Sequence, residues 1–214
     1  MKADGTILAR KFIDFTSDKD RMIHAMNRTR RKQSKYGPKS VRGLWAYVKR
    51  LNEDRAKKIS AAIVEFASQH SVDAIVMEHL DFKGCKKRGS KAQRLSMWNH
   101  GIIREKVEQK AHLLGIRIAT ICAWKTSALA FDGSGSVTRD DNNHALATFT
   151  TGKQYNCDLS ASYNIGARYF IRELLKSLPA TEESRVKAKV PDAGRRTSCT
   201  LSTLRALVKE LSAA

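Results

Sequence analysis

Val72-Asp73-Ala74-Ile75-Val76-Met77-Glu78 decides the reading of this sequence. The run Val72–Met77, apolar but for Asp73, is the length of a strand and too short for a buried helix, and it stops at Glu78. A long helix is predicted before it, from Val41 to about Gln69, with Leu44, Val48, Leu51, Ile59, Ile63 and Phe66 at helical spacing. A second is predicted after it, from Leu95 to Leu114, with Gly115 at the position that closes a helix. Arg117–Ala123 reads as another strand. Strand, helix and strand in alternation predict a mixed α/β fold with helices covering a sheet.

Working outward, Met1–Phe15 reads as a turn at Asp4-Gly5 followed by a strand through Ile7, Ala9, Phe12, Ile13 and Phe15. Asp18 to about Gln33 reads as a basic helix, capped by Ser17 or Asp18, with Met22, Ile23 and Met26 on its apolar side and Tyr36-Gly37-Pro38 as its end. Residues 124–157 change character: Gly133, Gly135, Gly152 and the run Asp140-Asp141-Asn142-Asn143 predict an irregular hairpin insert. Asp158 opens a helix to about Lys176, apolar at Ile165, Tyr169, Phe170 and Leu174 and ended by Pro179. Residues 180–199 read as a polar, basic tail, and Thr200–Leu211 as a short terminal helix.

The chain carries 40 Lys and Arg against 21 Asp and Glu over 214 residues, with 42% hydrophobic residues. That apolar content excludes a disordered polycation, and the charge points to a polyanion, most simply nucleic acid. No apolar run approaches the length of a membrane span and no signal peptide opens the chain, so a membrane partner is not expected. Cys85, Cys122, Cys157 and Cys199 form no CxxC pair, which fits a reducing cytoplasm without structural zinc.

The charge is unevenly placed. Residues 1–60 hold 17 Lys and Arg against 6 Asp and Glu, with Arg28, Arg30, Arg31, Lys32 and Lys35 in the basic helix. Residues 61–82 hold four acids, Glu65, Asp73, Glu78 and Asp81, and neither Lys nor Arg; Lys83, Lys86, Lys87, Arg88, Lys91 and Arg94 follow without an acid. An acidic, apolar strip between two basic blocks suits a site where cations hold phosphates and carboxylates hold a divalent metal. Glu78 at a strand end and Asp158 at a helix start are the candidate carboxylates. Each also has an ordinary explanation: a glutamate leaving the core for solvent, and an aspartate capping its helix. Two carboxylates are fewer than the three or four that two cations normally need.

Ala74-Ile75-Val76-Met77-Glu78-His79-Leu80 resembles the second conserved block of the RuvC-like nuclease domain of TnpB (OrfB), the insertion-sequence proteins sometimes named transposases. Asn156-Cys157-Asp158-Leu159-Ser160-Ala161-Ser162-Tyr163-Asn164-Ile165-Gly166-Ala167 resembles the third block, and Trp124-Lys125-Thr126-Ser127 the lead into the family's zinc ribbon. The resemblance covers about residues 1–178. It implies an RNase H-like fold, kinship with type V CRISPR effectors, and magnesium-dependent, RNA-guided cleavage of DNA in a prokaryotic cytoplasm. Glu78 and Asp158 would then be catalytic and magnesium-binding. The basic residues of the helix and of 83–94 would meet the phosphates of guide RNA and DNA, with no obligate protein partner implied.

Two departures qualify the resemblance. The family's cysteine pairs are replaced: Ala130 and Gly133 stand at the first pair and Thr-Thr-Gly-Lys-Gln-Tyr at the second. We therefore expect a hairpin without zinc, held by Phe131, Phe149 and Tyr155. The family's first carboxylate lies on a strand ahead of the Asp-Gly turn, and the chain begins at that turn. The expected organisation is a RuvC-like core without its first strands over 1–125 (strands three, four and five of the family), a degenerate zinc-ribbon-like insert over 126–157, the core's last helix over 158–178 and a basic tail over 179–214. The expected function is the C-terminal part of a TnpB-like endonuclease, inactive alone because its carboxylate set is incomplete. The alternatives are a non-catalytic RNA- or DNA-binding module or repressor derived from such a nuclease and, more remotely, a basic ribosome-associated protein.

Overall fold

In chain order, the helices are α1 (Thr16–Tyr36), α2 (Arg42–Gln69), α3 (His100–Leu113), α4 (Cys157–Ser177), α5 (Ala180–Lys189) and α6 (Leu201–Ser212). The strands are β1 (Ala74–His79), β2 (Arg117–Cys122), β3 (Thr138–Arg139), β4 (Leu146–Thr148) and β5 (Gln154–Asn156). The structure is a computed structural model and describes residues 1–80 and 99–213. No helix among the described residues is long and apolar enough to cross a membrane. The chain divides into two compact units, one of Met1–Arg10, the end of β1 from Val76, and Ala119 onward, the other of Lys11–Ile75 with the residues up to Ile118.

In the second unit α2 packs against α1 and against α3. Its buried stripe is Val48, Asn52, Ala56, Ser60, Val64 and Ala67, one residue per turn. Leu44, Leu51, Ile59 and Ile63, predicted as the apolar face, are only half-buried beside it. Small residues occupy the seam because neighbouring helices approach closely there; Ser60 Oγ lies 2.6 Å from Ala56 O and 3.3 Å from Ile103 O. Trp45 Nε1 donates to Gln33 Oε1 at 2.7 Å and ties α2 to α1. Helix α3 ends as expected: Gly115 has φ 69°, its N–H donates to His112 O, and that of Ile116 donates to Ala111 O, a Schellman closure.

In the first unit α4 and α6 share a core of Tyr163, Ala167, Ile171, Leu175, Leu201, Leu204 and Leu207, joined by Val186, Ala193 and Cys199. Residues 180–199 therefore depart from the expected tail. They form α5 and a 3-10 turn at Pro191–Gly194, and they supply buried side chains to that core. A helix with one buried residue, Val186, has no apolar period to read. Its usable signals were Pro179 before it, Glu182 and Glu183 in the first turn and Lys187 and Lys189 in the last.

The Asp4-Gly5 turn is present, with the Gly5 N–H donating to Lys2 O at 3.0 Å and φ 82° at Gly5. Arg205 Nη2 of α6 donates to Gly5 O at 3.3 Å and docks it. The strand expected through Phe15 is not formed. A strand needs a neighbour for its ladder, and no described strand pairs with residues 7–15. β1 and β2 pair with each other, and β3, β4 and β5 form an antiparallel sheet with Ala147 opposite both Arg139 and Tyr155. The rings of Phe131, Phe149 and Tyr155 meet as expected, Phe131 lying 5.6 Å from Phe149 and 5.0 Å from Tyr155 between ring centres. Ala130 is buried beside them with Ala147 and Cys157.

Candidate functional site

Glu78 is the fifth residue of β1 and is half-buried. Its Oε1 accepts the hydroxyl of Thr126 at 2.5 Å, within the short range of bonds to a charged oxygen. The glutamate is thus engaged by the chain that follows β2 and is not merely leaving the core for solvent. Thr126 is itself buried, and its carbonyl accepts from Asn164 Nδ2 at 3.0 Å. Asn164, fully buried on α4, also donates to Leu129 O at 2.9 Å and accepts the Leu201 N–H on its Oδ1 at 3.2 Å. All three of these bonds go to backbone, so it fixes where residues 126–129 and α6 cross α4.

Asp158 is the second residue of α4 and is exposed. It was a candidate cap, and the structure corrects that. The cap is Asn156, whose Oδ1 accepts from the N–H of Asp158 and of Leu159, both at 3.0 Å. An amide at the residue before the helix reaches those donors, leaving the Asp158 carboxylate clear of capping duty at the positive end of the helix. Likewise α1 begins at Thr16 without a side-chain cap, so neither Ser17 nor Asp18 serves there.

Arg168, four residues beyond Asn164, is 5% exposed. Its Nη1 donates to Cys122 O and Trp124 O at 2.9 and 2.8 Å, its Nη2 to Thr197 O at 2.8 Å and its Nε to Cys199 O at 3.2 Å. Burial pulls its pKa below the ordinary arginine value, opposed by Cys199, Cys122 and Glu78. It remains a cation, since a guanidinium holds its proton at any physiological pH. It clasps the end of β2 to α4. The sequence signal for it was a lone arginine within the stripe Ala161, Asn164, Ala167, Ile171, Leu175; Thr126 had no signal beyond its place in Trp124–Ser127.

Cys157 is buried, its Sγ lies 3.5 Å from Ser127 O, and burial pushes its pKa up, so it packs as a protonated thiol. Among the described residues no group of three or more His, Cys, Asp and Glu is placed to hold a metal ion. Glu78 and Asp158 are carboxylates of the right chemistry for magnesium, but two are short of the ligand set of a cation pair.

In the second unit Arg28, Arg31, Lys32 and Lys35 are exposed. At 3.6 residues per turn they lie within about 100° of one another on α1. Arg30 projects to the other side of the helix, with Met22 and Thr29, and is half-buried there. Lys35 Nζ stands 5.2 Å from the Tyr36 ring centre. Lys83, Lys86, Lys87, Arg88, Lys91 and Arg94 lie outside the described residues.

No family model matches the sequence, and no curated protein does. Among solved structures, a chain in the cryo-EM structure of the Cas12f1–sgRNA–target DNA complex is similar, with a TM-score of 0.55 and 18% identity over 74% of this chain. The match covers 44% of that chain, so the present chain corresponds to less than half of it. The likeness is one of fold: both share a mixed α/β arrangement.

Proposed function

We propose that this chain is the C-terminal part of a TnpB-like, RNA-guided DNA endonuclease whose RuvC-type, RNase H-like domain hydrolyses phosphodiesters with magnesium in the full-length protein. The observation that carries the reading is the pair Glu78 and Asp158. They stand at a strand end and a helix start of one compact unit, and each has lost its ordinary explanation: Glu78 is bound by Thr126, and Asp158 is relieved of capping by Asn156. The fold shared with Cas12f1, a type V CRISPR effector related to TnpB, supports the family side. That chain lies in a complex with sgRNA and target DNA, which supports RNA and DNA as partners here.

In this reading Glu78 and Asp158 would hold magnesium, which when bound supplies an activated water and stabilises the leaving oxygen. Thr126 orients the Glu78 carboxylate, and Asn164 and Arg168 hold the backbone that carries Thr126 and the end of β2. Arg28, Arg31, Lys32 and Lys35, with the cations of 83–94, contact phosphates without reading sequence. The short ligand set supports binding without cleavage by the isolated chain, and it is also what favours the second reading, a non-catalytic RNA- or DNA-binding module.

The deciding assay is guided cleavage by the full-length protein bearing Glu78→Gln or Asp158→Asn. We expect cleavage to vanish while guide binding is kept. Cleavage persisting in Glu78→Gln overturns the site. Binding without cleavage by the unsubstituted full-length protein supports the binding module instead. A magnesium-dependent cut by the 214-residue chain alone, lost in Asp158→Asn, overturns the incomplete ligand set.

A further inference from the structure

Helix α4, the end of β2 and the segment 183–199 enclose a cavity of about 450 Å³ in the first unit, apart from Glu78 and Asp158. Its floor is aliphatic, built by Ile121, Ile171, Leu175, Leu178 and Ala193. Its lining also carries Arg172, Lys176, Lys187 and Arg196 against a single acid, Glu183. Arg172 pairs with Glu173 and Lys187 with Glu183. Lys176 and Arg196 are exposed and form no ion pair among the described residues. Arg168 also lines the cavity; its bonds to Cys122, Trp124, Thr197 and Cys199 end on carbonyl oxygens, which satisfy its donors but do not neutralise its charge.

An aliphatic floor beneath uncompensated cations selects a ligand with an apolar body and an anionic edge, and the volume is that of a small-molecule site. A nucleotide lifted out of its stack has this form, with a flat base for the floor and a phosphate for the cations. In the segment 185–196, Lys187, Lys189 and Arg195 pair with Glu183, Glu210 and Asp192, while Arg185 and Arg196 form no ion pair among the described residues and suit a continuing phosphate backbone. We infer that this cavity receives one unstacked nucleotide of a single-stranded nucleic acid, its base against Leu175 and Ala193 and its phosphate at Lys176 and Arg196. The inference rests on the nucleic-acid reading above and adds to it a place where a single strand is held.

Cys122 provides a local probe, since it lines the cavity and is half-buried, whereas Cys199 is buried with its pKa pushed up to about 11 and stays protonated. The full chain is treated with iodoacetamide with and without a hexadeoxynucleotide containing 2-aminopurine, and Cys122 alkylation is read by peptide mass spectrometry. We expect the oligonucleotide to slow alkylation of Cys122 and its 2-aminopurine fluorescence to rise as the base leaves its stack. Lys176→Glu with Arg196→Glu should weaken single-strand binding roughly tenfold while the salt-dependent binding of duplex persists. Ala193→Phe, filling the floor, should abolish the protection. If that variant does not fold, the two exposed charge reversals carry the test.

Equal single-strand affinity in the unsubstituted and charge-reversed chains overturns the cavity assignment, as does alkylation unchanged by bound oligonucleotide. With duplex binding retained, either result leaves the nucleic-acid reading standing. Failure of the unsubstituted chain to bind any nucleic acid, duplex included, defeats both. Protection of Cys122 by dodecanoate but not by the oligonucleotide also overturns the inference, in favour of an acyl anion.

Discussion

Thr126 Oγ1 lies 2.5 Å from Glu78 Oε1 and 3.0 Å from Ala123 O, and it has one proton to donate. The carboxylate is nearer and charged, so the proton goes there. The Thr126 carbonyl is in turn held by Asn164, whose Oδ1 accepts the first amide of α6. Two side chains thereby connect the end of β1 to α4 and α6.

Removing the first of these links should be measurable by urea denaturation. Thr126→Val should cost about 1–2 kcal/mol, because the half-buried Glu78 loses its donor, and Thr126→Ser should recover most of it. Asn164→Leu should cost more, about 3 kcal/mol, since it strands the carbonyl of Thr126 and the amide of Leu201 in a dry interior and leaves Leu129 O only the long bond from Ser160 Oγ. A neutral Thr126→Val would show that nothing depends on the contact.

Helix α1 makes a prediction about nucleic acid that composition alone cannot. Changing Arg28, Arg31, Lys32 and Lys35 to Gln should flatten the dependence of log affinity on log salt by up to about 0.9 per lost phosphate contact on duplex DNA. Arg30→Gln, on the opposite side of the helix, should leave that slope unchanged. Equal effects from all five would mean that α1 does not bind through one face.

Leu204 is fully buried in the core that α6 shares with α4. Leu204→Ala should destabilise the first unit by about 2–5 kcal/mol, read as a lowered denaturation midpoint. A terminal segment lying loosely on the surface would show no such loss.

Alkaline pH should weaken the first unit through Cys199, which is 2% exposed. Its thiol is raised from 9.0 to about 11 by burial, opposed by Arg168. Below pH 9 both folded and unfolded chains keep the proton and the full contribution is present. Between pH 9 and 11 only the unfolded chain releases it, so stability falls, by up to about 2–3 kcal/mol. Tyr163, raised from 10.0 to about 12 chiefly by burial, adds its own loss between pH 10 and 12. Cys199→Ala should remove the decline between pH 9 and 10 in denaturation curves and make it shallower from pH 10 to 11, where Tyr163 also loses its proton; an unchanged slope would assign the decline to other groups.

Much of the architecture was legible before any coordinates. α2, α3 and α4 carry apolar residues at helical spacing, and Gly115 closes α3 where a positive φ was needed. The misreadings share one cause. Residues 7–15 have strand composition but no ladder partner, α5 has a single apolar residue facing the core, and Asp158 has the chemistry of a cap that the neighbouring Asn156 performs instead. In each case the outcome depends on which groups another part of the chain, or a competing neighbour, brings within reach.

The sequence by itself determined helices α1 to α4 and α6, the acid at the end of an apolar strand, the aspartate at a helix start and the basic excess. These follow from periodicity, propensity and charge, which are properties of short stretches. Only the tertiary structure decided that Glu78 is bound by Thr126, that Asn164 and Arg168 tie together the segments around it, and that residues 180–199 complete a core and wall a cavity. Those outcomes are hydrogen bonds and burials between residues far apart in the chain, 48 positions for Glu78 and Thr126. A buried polar group is satisfied by whatever the fold carries to it, and spacing along the chain holds no record of that partner.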